Sequence, residues 1–181
     1  MRQDEPDLVD AARVLAGDTS AFEGIVERWQ HRLVNLAWRY SRDHATAEDM
    51  AQEVFLKVFR SLGSFRGQSA FSTWITAIAL NTYRSRVRTL GQPHISLESA
   101  PAESAAGALE EIQERERSEM VQRAVLALPE RYRDAIILFY FEEKNLAETA
   151  CILDVSEGTL KARLHRGREL LRQRCSKLEK S

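Results

Sequence analysis

A chain of 181 residues, 44% hydrophobic and 29% charged, is long enough for one medium domain or two small ones and needs no disulfide staple. Its formal charge of -1 gives no overall sign of a nucleic-acid binder, but the charges are unevenly placed. The two cysteines, Cys151 and Cys175, have neither C-x-x-C spacing nor a zinc-type histidine pattern. They suit a reducing compartment and are expected to be packing residues, with a redox pair as the alternative.

The opening MRQDEPDLVD lacks the basic-then-apolar order of a signal peptide, and no apolar run is long enough to cross a bilayer. A cytoplasmic protein without membrane insertion is the expectation. Apolar residues recur every three or four positions, and alternating stretches are few, so the fold class is all-α.

Phe22, Ile25, Val26, Trp29, Leu33, Leu36, Ala37 and Tyr40 mark a long amphipathic helix. A second helix is expected to begin near Thr46, where TAED resembles a capping box with Thr46 accepting from the Asp49 amide. Met50, Val54 and Val58, with Phe55 and Phe59 beside them, form its apolar side up to Gly63. A third spans about 72–88, with Trp74, Ile75, Ile78 and Ala79 turned inward. Between Phe65 and Arg88 stand four cations, no acids and the aromatics Phe65, Phe71, Trp74 and Tyr83. Cations that follow phosphates beside flat side chains suit single-stranded DNA, although core packing would equally explain Phe71 and is the preferred reading of Trp74.

The segment GQPHISLESAPAESAAGALEE has no repeating apolar face and reads as a linker. From Gly91 to Arg117 there are two cations against six acids. Four helices follow. Leu128-Pro129 marks a boundary, because proline disfavours helical geometry in the residue before it. The run AIILFYF is a core helix too short for a membrane.

NLAETACIL and SEGTLKARLHRGRELL, joined by Asp154 and Val155, have the pattern of a helix-turn-helix. Leu146, Ala150 and Leu153 share one face of the first helix, Val155 fills the corner, and Ser156 is the expected N-cap of the second. Leu160, Leu164, Gly167 and Leu171 form the buried stripe of that second helix, leaving Lys161, Ala162, His165, Arg166 and Arg168 outward. From Lys161 to Lys180 there are eight cations and two anions. Cations near a helix C-terminus are favoured by the macrodipole, which accounts for Arg172, Arg174, Lys177 and Lys180 but not for Lys161 to Arg166 in the first half. A helix offered to the major groove accounts for them. Asp154 stands where such turns often have glycine, and aspartate can adopt the left-handed conformation.

AEDMAQEVFLKVF, FRGQSAFSTWITAIALNTYRSRVR and LPERYRDAIILFYFEEKNLAETACILDVSEGTLKARLHRGRELL, in that order, resemble the bacterial extracytoplasmic-function sigma factors of the sigma-70 family. The resemblance implies a sigma-2 domain over 1–90, a flexible acidic linker over 91–115 threaded through the polymerase RNA path, and a sigma-4 domain over 116–181. It implies a transcription initiation factor, not an enzyme, with core RNA polymerase and promoter DNA as partners, an anti-sigma factor as a further partner, and no cofactor or metal. Core polymerase would be bound through Asp49, Gln52 and Glu53. The residues alone would instead have Asp49 cap its helix and Glu53 pair with Lys57. The melted -10 element would meet Arg66, Gln68, Ser69 and Phe71 at the FRGQSAF loop, which captures a flipped base, together with Asn81, Arg84 and Arg88; Arg86 belongs to the same phosphate track. The -35 duplex would meet Ser156, Thr159, Lys161, Ala162, His165, Arg166 and Arg168.

Two other classes compete. An autonomous dimeric repressor would use the same helix-turn-helix but leaves Phe65 to Arg88 without a task. An all-α metallohydrolase would need Asp43, His44, Glu48 and Asp49 as ligands, and no second cluster completes a coordination sphere. Neither a nucleophile-base arrangement nor a phosphate-binding glycine loop is present.

Overall fold

The computed structural model describes residues 4–90 and 118–178, which fall into two compact units, one on each side of the segment between them. Every regular element among the described residues is helical. The linker expected over 91–115, and Lys180, lie outside the described residues.

The N-terminal unit starts with α1, Glu5–Leu15. The sequence expectation missed this helix. Its signals are Pro6 in the first turn, Glu5 and Asp7 at the positive end of the dipole, and Arg13 in the last turn. Three long helices follow: α2 (Phe22–Ser41), α3 (His44–Ser61) and α4 (Phe71–Leu90). Ile25, Leu33, Met50, Leu62, Ile75 and Leu80 are fully buried between them, each contributing about 1.5–3 kcal/mol of transfer free energy. Tyr83 donates to the Leu33 carbonyl at 2.9 Å. An element so deep in the core would otherwise hide an unpaired hydroxyl.

The start of α3 corrects the sequence expectation. Asp43, not Thr46, is the N-cap: its carboxylate accepts from the Thr46 amide at 2.7 Å, and the helix begins at His44. Either aspartate or threonine can cap, but only Asp43 has the extended backbone that the position requires. The preceding helix ends on Arg42 at φ 57°, a left-handed residue other than glycine. Its guanidinium lies 3.7 Å from the centroid of the Trp38 ring, a cation–π contact that offsets part of the conformational cost.

The C-terminal unit comprises α5 (118–126), α6 (Glu130–Ile136), α7 (Leu146–Ile152) and α8 (Glu157–Leu178). AIILFYF is a core segment as expected, but it is not one regular helix: α6 gives way to a π turn over Ile137–Phe141. Ile136, Ile137 and Leu138 are buried, while Tyr140 faces solvent. A full capping box opens α7, with Asn145 Oδ1 accepting from the Glu148 amide at 2.9 Å and Glu148 accepting from the Asn145 amide at 3.0 Å. Asp154 takes φ 51° at the corner, and Ser156 Oγ accepts from the Thr159 amide at 3.2 Å to cap α8. Cys175 is half-buried, but Cys151 is exposed rather than packed. Among the described residues no helix is long and apolar enough to cross a membrane.

Candidate nucleic-acid and polymerase interfaces

On α8 the division between held and offered residues is sharp. Leu160, Leu164 and Gly167 are buried, whereas Lys161, Ala162, His165, Arg166 and Arg168 are exposed. At Gly167 α6 approaches α8 closely. A Cβ there would lie 3.1 Å from Ile136 Cγ1 and 3.6 Å from Tyr132 Cβ, so a larger residue would lever the helix away from its support. Leu171, expected in the same stripe, is only half-buried. Arg166 is held on the helix surface by Glu169 Oε2 at 2.8 Å. That hydrogen bond is the main reason that the Glu169 pKa is lowered and the Arg166 pKa raised.

The residues expected to meet the -10 element occupy a different kind of surface. Residues 65–70 form an irregular loop that turns at Gly67, where φ is 66°. Below it Phe65, Phe71 and Trp74 make a three-ring cluster with centroid separations of 5.5, 5.1 and 5.4 Å. Arg66 and Gln68 are exposed at the loop surface, and Ser69 is half-buried. Phe71 departs from expectation. It is 1% exposed and also meets Trp29 edge-on at 6.5 Å, so it is a support beneath the loop and not a surface for a base. Trp74, expected in the core, is half-exposed, as is Phe65. The two aromatics exchange roles because Phe71 begins α4 on its core side and Trp74 falls one turn later, near the helix edge.

Asn81, Arg84 and Arg88 lie on one face of α4 at i, i+3 and i+7, and Asn81 accepts from Arg84 at 3.5 Å. Arg86 is two positions on and belongs to another side. The structure therefore brings three of the four expected groups of α4 onto one track.

On α3, Asp49 and Gln52 are exposed and Glu53 is half-buried, opposite the buried Met50 and Val54. Asp49 does not cap the helix. Glu53 accepts from Lys57 at 2.7 Å, as the residues alone suggested, and Lys57 also donates to Thr82 on α4 at 3.2 Å. Sequence reasoning missed Leu56, which is 56% exposed between the Gln52 and Glu53 positions on the same face. Its signal was an apolar residue off the Met50, Val54, Val58 stripe. Of the residues weighed as metal ligands, Asp43 caps α3 and His44 Nδ1 lies 3.3 Å from Glu48. No group of three or more His, Cys, Asp or Glu among the described residues could hold a metal ion.

Family models match both units: "Sigma-70 region 2" over residues 25–92 and "Sigma-70, region 4" over 118–171. The ECF RNA polymerase sigma-E factor of Escherichia coli is 36% identical over 182 residues, covering 94% of this chain and 95% of that protein. The chain is an extracytoplasmic-function sigma factor. The RNA polymerase sigma-H factor of Pseudomonas aeruginosa is 35% identical over 182 residues, 94% of each protein. This sigma factor also shares its fold with a solved sigma factor RpoE from Bartonella quintana, crystallised with the anti-sigma factor NepR, at TM-score 0.65 and 24% identity over 86% of this chain and 96% of that one. Sigma factors are transcription initiation factors, and this one directs RNA polymerase to promoters. The loop at residues 65–70 thus lies within the region-2 match, and the polarised part of α8, up to residue 171, within the region-4 match.

Proposed function

We propose that this sigma factor reads its promoter with two separate surfaces and holds core polymerase with a third. Exposed Lys161, Ala162, His165 and Arg166 on α8 meet the -35 duplex, with Ser156, Thr159 and Arg168 contacting its backbone. Arg66, Gln68 and Ser69 capture a base flipped from the -10 element above the aromatic support, and Asn81, Arg84 and Arg88 follow the non-template strand. Asp49, Gln52 and Glu53 surround Leu56 as a polar rim around an apolar centre, the composition of a protein interface. The observation that carries the division is the contrast on α8, where one face is buried against α6 while the opposite face offers long cations. Because the Bartonella protein was crystallised with an anti-sigma factor, a partner of that kind is proposed here too.

Run-off transcription with bacterial core polymerase and a library of promoter fragments tests this function. Initiation from a defined subset, weakened by Gln52→Ala and by Arg166→Ala, is the expected result. No initiation from any template, with duplex binding retained by the protein alone, would replace it with an autonomous DNA-binding regulator.

A further inference from the structure

The N-terminal helix α1 precedes the region-2 match, which starts at residue 25, and no surface described above uses it. Yet it carries a buried acid. Asp7 is 3% exposed and both of its oxygens are engaged on α2: Oδ1 accepts from Arg28 Nε at 2.7 Å and Oδ2 from the Trp29 indole N–H at 3.0 Å. Arg28 also donates to Asp10 at 2.6 Å. Burial opposes the Arg28 charge, but the hydrogen bonds to Asp10 and Asp7 prevail and its pKa is raised. The backbone is shaped to this clamp, since a Cβ on Gly24 would lie 2.6 Å from Asp10 Oδ2.

The clamp leads to the loop. Trp29, oriented by Asp7, packs on Phe71, which packs on Phe65 and Trp74 beneath residues 66–70. A second thread runs from Asp4, just before α1, whose Oδ2 accepts from Ser72 Oγ at 3.5 Å in the first turn of α4. Both ends of α1's attachment thus reach the element on which the loop is mounted. A flipped base is retained only if the loop already has its bound shape, because ordering it on binding would consume the contact energy.

We propose that α1 is a strap that presets the base-capturing loop, with Asp7 as the positioning residue acting through Trp29 and Phe71. This rests on the proposed capture of a -10 base by residues 66–69. Asp7 itself touches no DNA. Its effect is on discrimination among bases, since a displaced platform leaves the cations on Arg66, Arg84 and Arg88 to bind phosphates without regard to sequence.

The test uses the full chain reassembled with core polymerase at a promoter recovered by run-off transcription. Affinity is measured for a fork probe with duplex -35 and single-stranded -10 non-template strand, with the promoter's own bases and with each -10 base replaced in turn. The ratio of the two affinities is the base preference. Asp7→Asn keeps the side-chain shape and one acceptor, and Trp29→Phe keeps a ring while removing the indole N–H. Each is expected to lower the ratio about fivefold, with affinity for core polymerase and for a duplex -35 fragment within about twofold of wild type. An unchanged ratio in both variants, with a collapsed ratio in Gln68→Ala, overturns the strap and leaves the loop in its role. If Gln68→Ala also leaves the ratio unchanged, capture by the loop is wrong and the strap falls with it. Equal losses on every probe and for core polymerase would make Asp7 a stability residue only, which also overturns the proposal.

Discussion

The two surfaces proposed to face DNA in this sigma factor are built in opposite ways. Along α8 the offered side chains share one regular helix, and the fold acts only on the other side, through Leu160, Leu164 and the tight passage of Gly167 beside Ile136. At residues 65–70 the offered side chains stand on an irregular loop, and nearly everything that fixes them is below it in Phe65, Phe71, Trp74 and Trp29. Duplex DNA presents a fixed groove, so a preformed rod suffices. A single strand has no fixed shape, so the protein must supply it. The lesson is that residues controlling the first surface lie on its own helix, while those controlling the second are scattered over α1, α2 and α4.

The contrast can be sharpened from its strongest element. Phe71→Ala should destabilise the N-terminal unit by about 3–5 kcal/mol, measured by urea unfolding of the full chain. A stability change near zero with lost binding to single-stranded -10 DNA would make Phe71 a contact residue and break the comparison. Gly167→Leu should cost the C-terminal unit about 1–3 kcal/mol through overpacking against Ile136. Holoenzyme affinity for duplex -35 DNA should fall with it while the single-stranded -10 probe is unaffected.

Arg166→Ala should weaken duplex -35 binding on the order of tenfold, read by fluorescence anisotropy of a labelled fragment. Glu169→Gln should act in the opposite direction and less strongly, because it releases Arg166 from its partner at 2.8 Å. The smallest effect concerns acid. Hydrogen bonding from Thr46, first through its side chain and then its amide, holds the Asp43 pKa below the ordinary carboxylate value. A carboxylate depressed in the folded state stabilises above its unfolded pKa, and that contribution disappears as pH falls through the folded one. Asparagine caps without titrating, so the wild-type melting temperature should fall more steeply than that of Asp43→Asn between roughly pH 5 and pH 3.

How far the sequence predicted each surface follows the same contrast. Helix α8 was legible because its information is local. Ser156 caps it, Asp154 turns the corner in the left-handed conformation, and buried and exposed residues alternate at helical spacing. The three long N-terminal helices were legible for the same reason, with an error of three residues in the cap, where Asp43 rather than Thr46 closes the start of α3. The loop support was not. Whether Phe71 or Trp74 is buried depends on how α4 rotates against α2, and no spacing within FRGQSAFSTW encodes that rotation. Asp7 was hidden more deeply, because an acid in a polar N-terminal stretch reads as solvated until Arg28 and Trp29 are found beside it, more than twenty residues away. The exposed Leu56 and the π turn at Ile137–Phe141 were likewise set by packing between elements.

The most direct test of two independent reading surfaces is a crossed binding measurement. Holoenzyme carrying wild type, Arg166→Ala or Gln68→Ala is titrated with two probes, a duplex -35 fragment and a single-stranded -10 fork whose upstream duplex lacks the -35 sequence. The expected result is a crossing pattern, in which Arg166→Ala loses the first probe and keeps the second while Gln68→Ala does the reverse. Equal losses on both probes for either substitution, or no loss for both, would contradict the division.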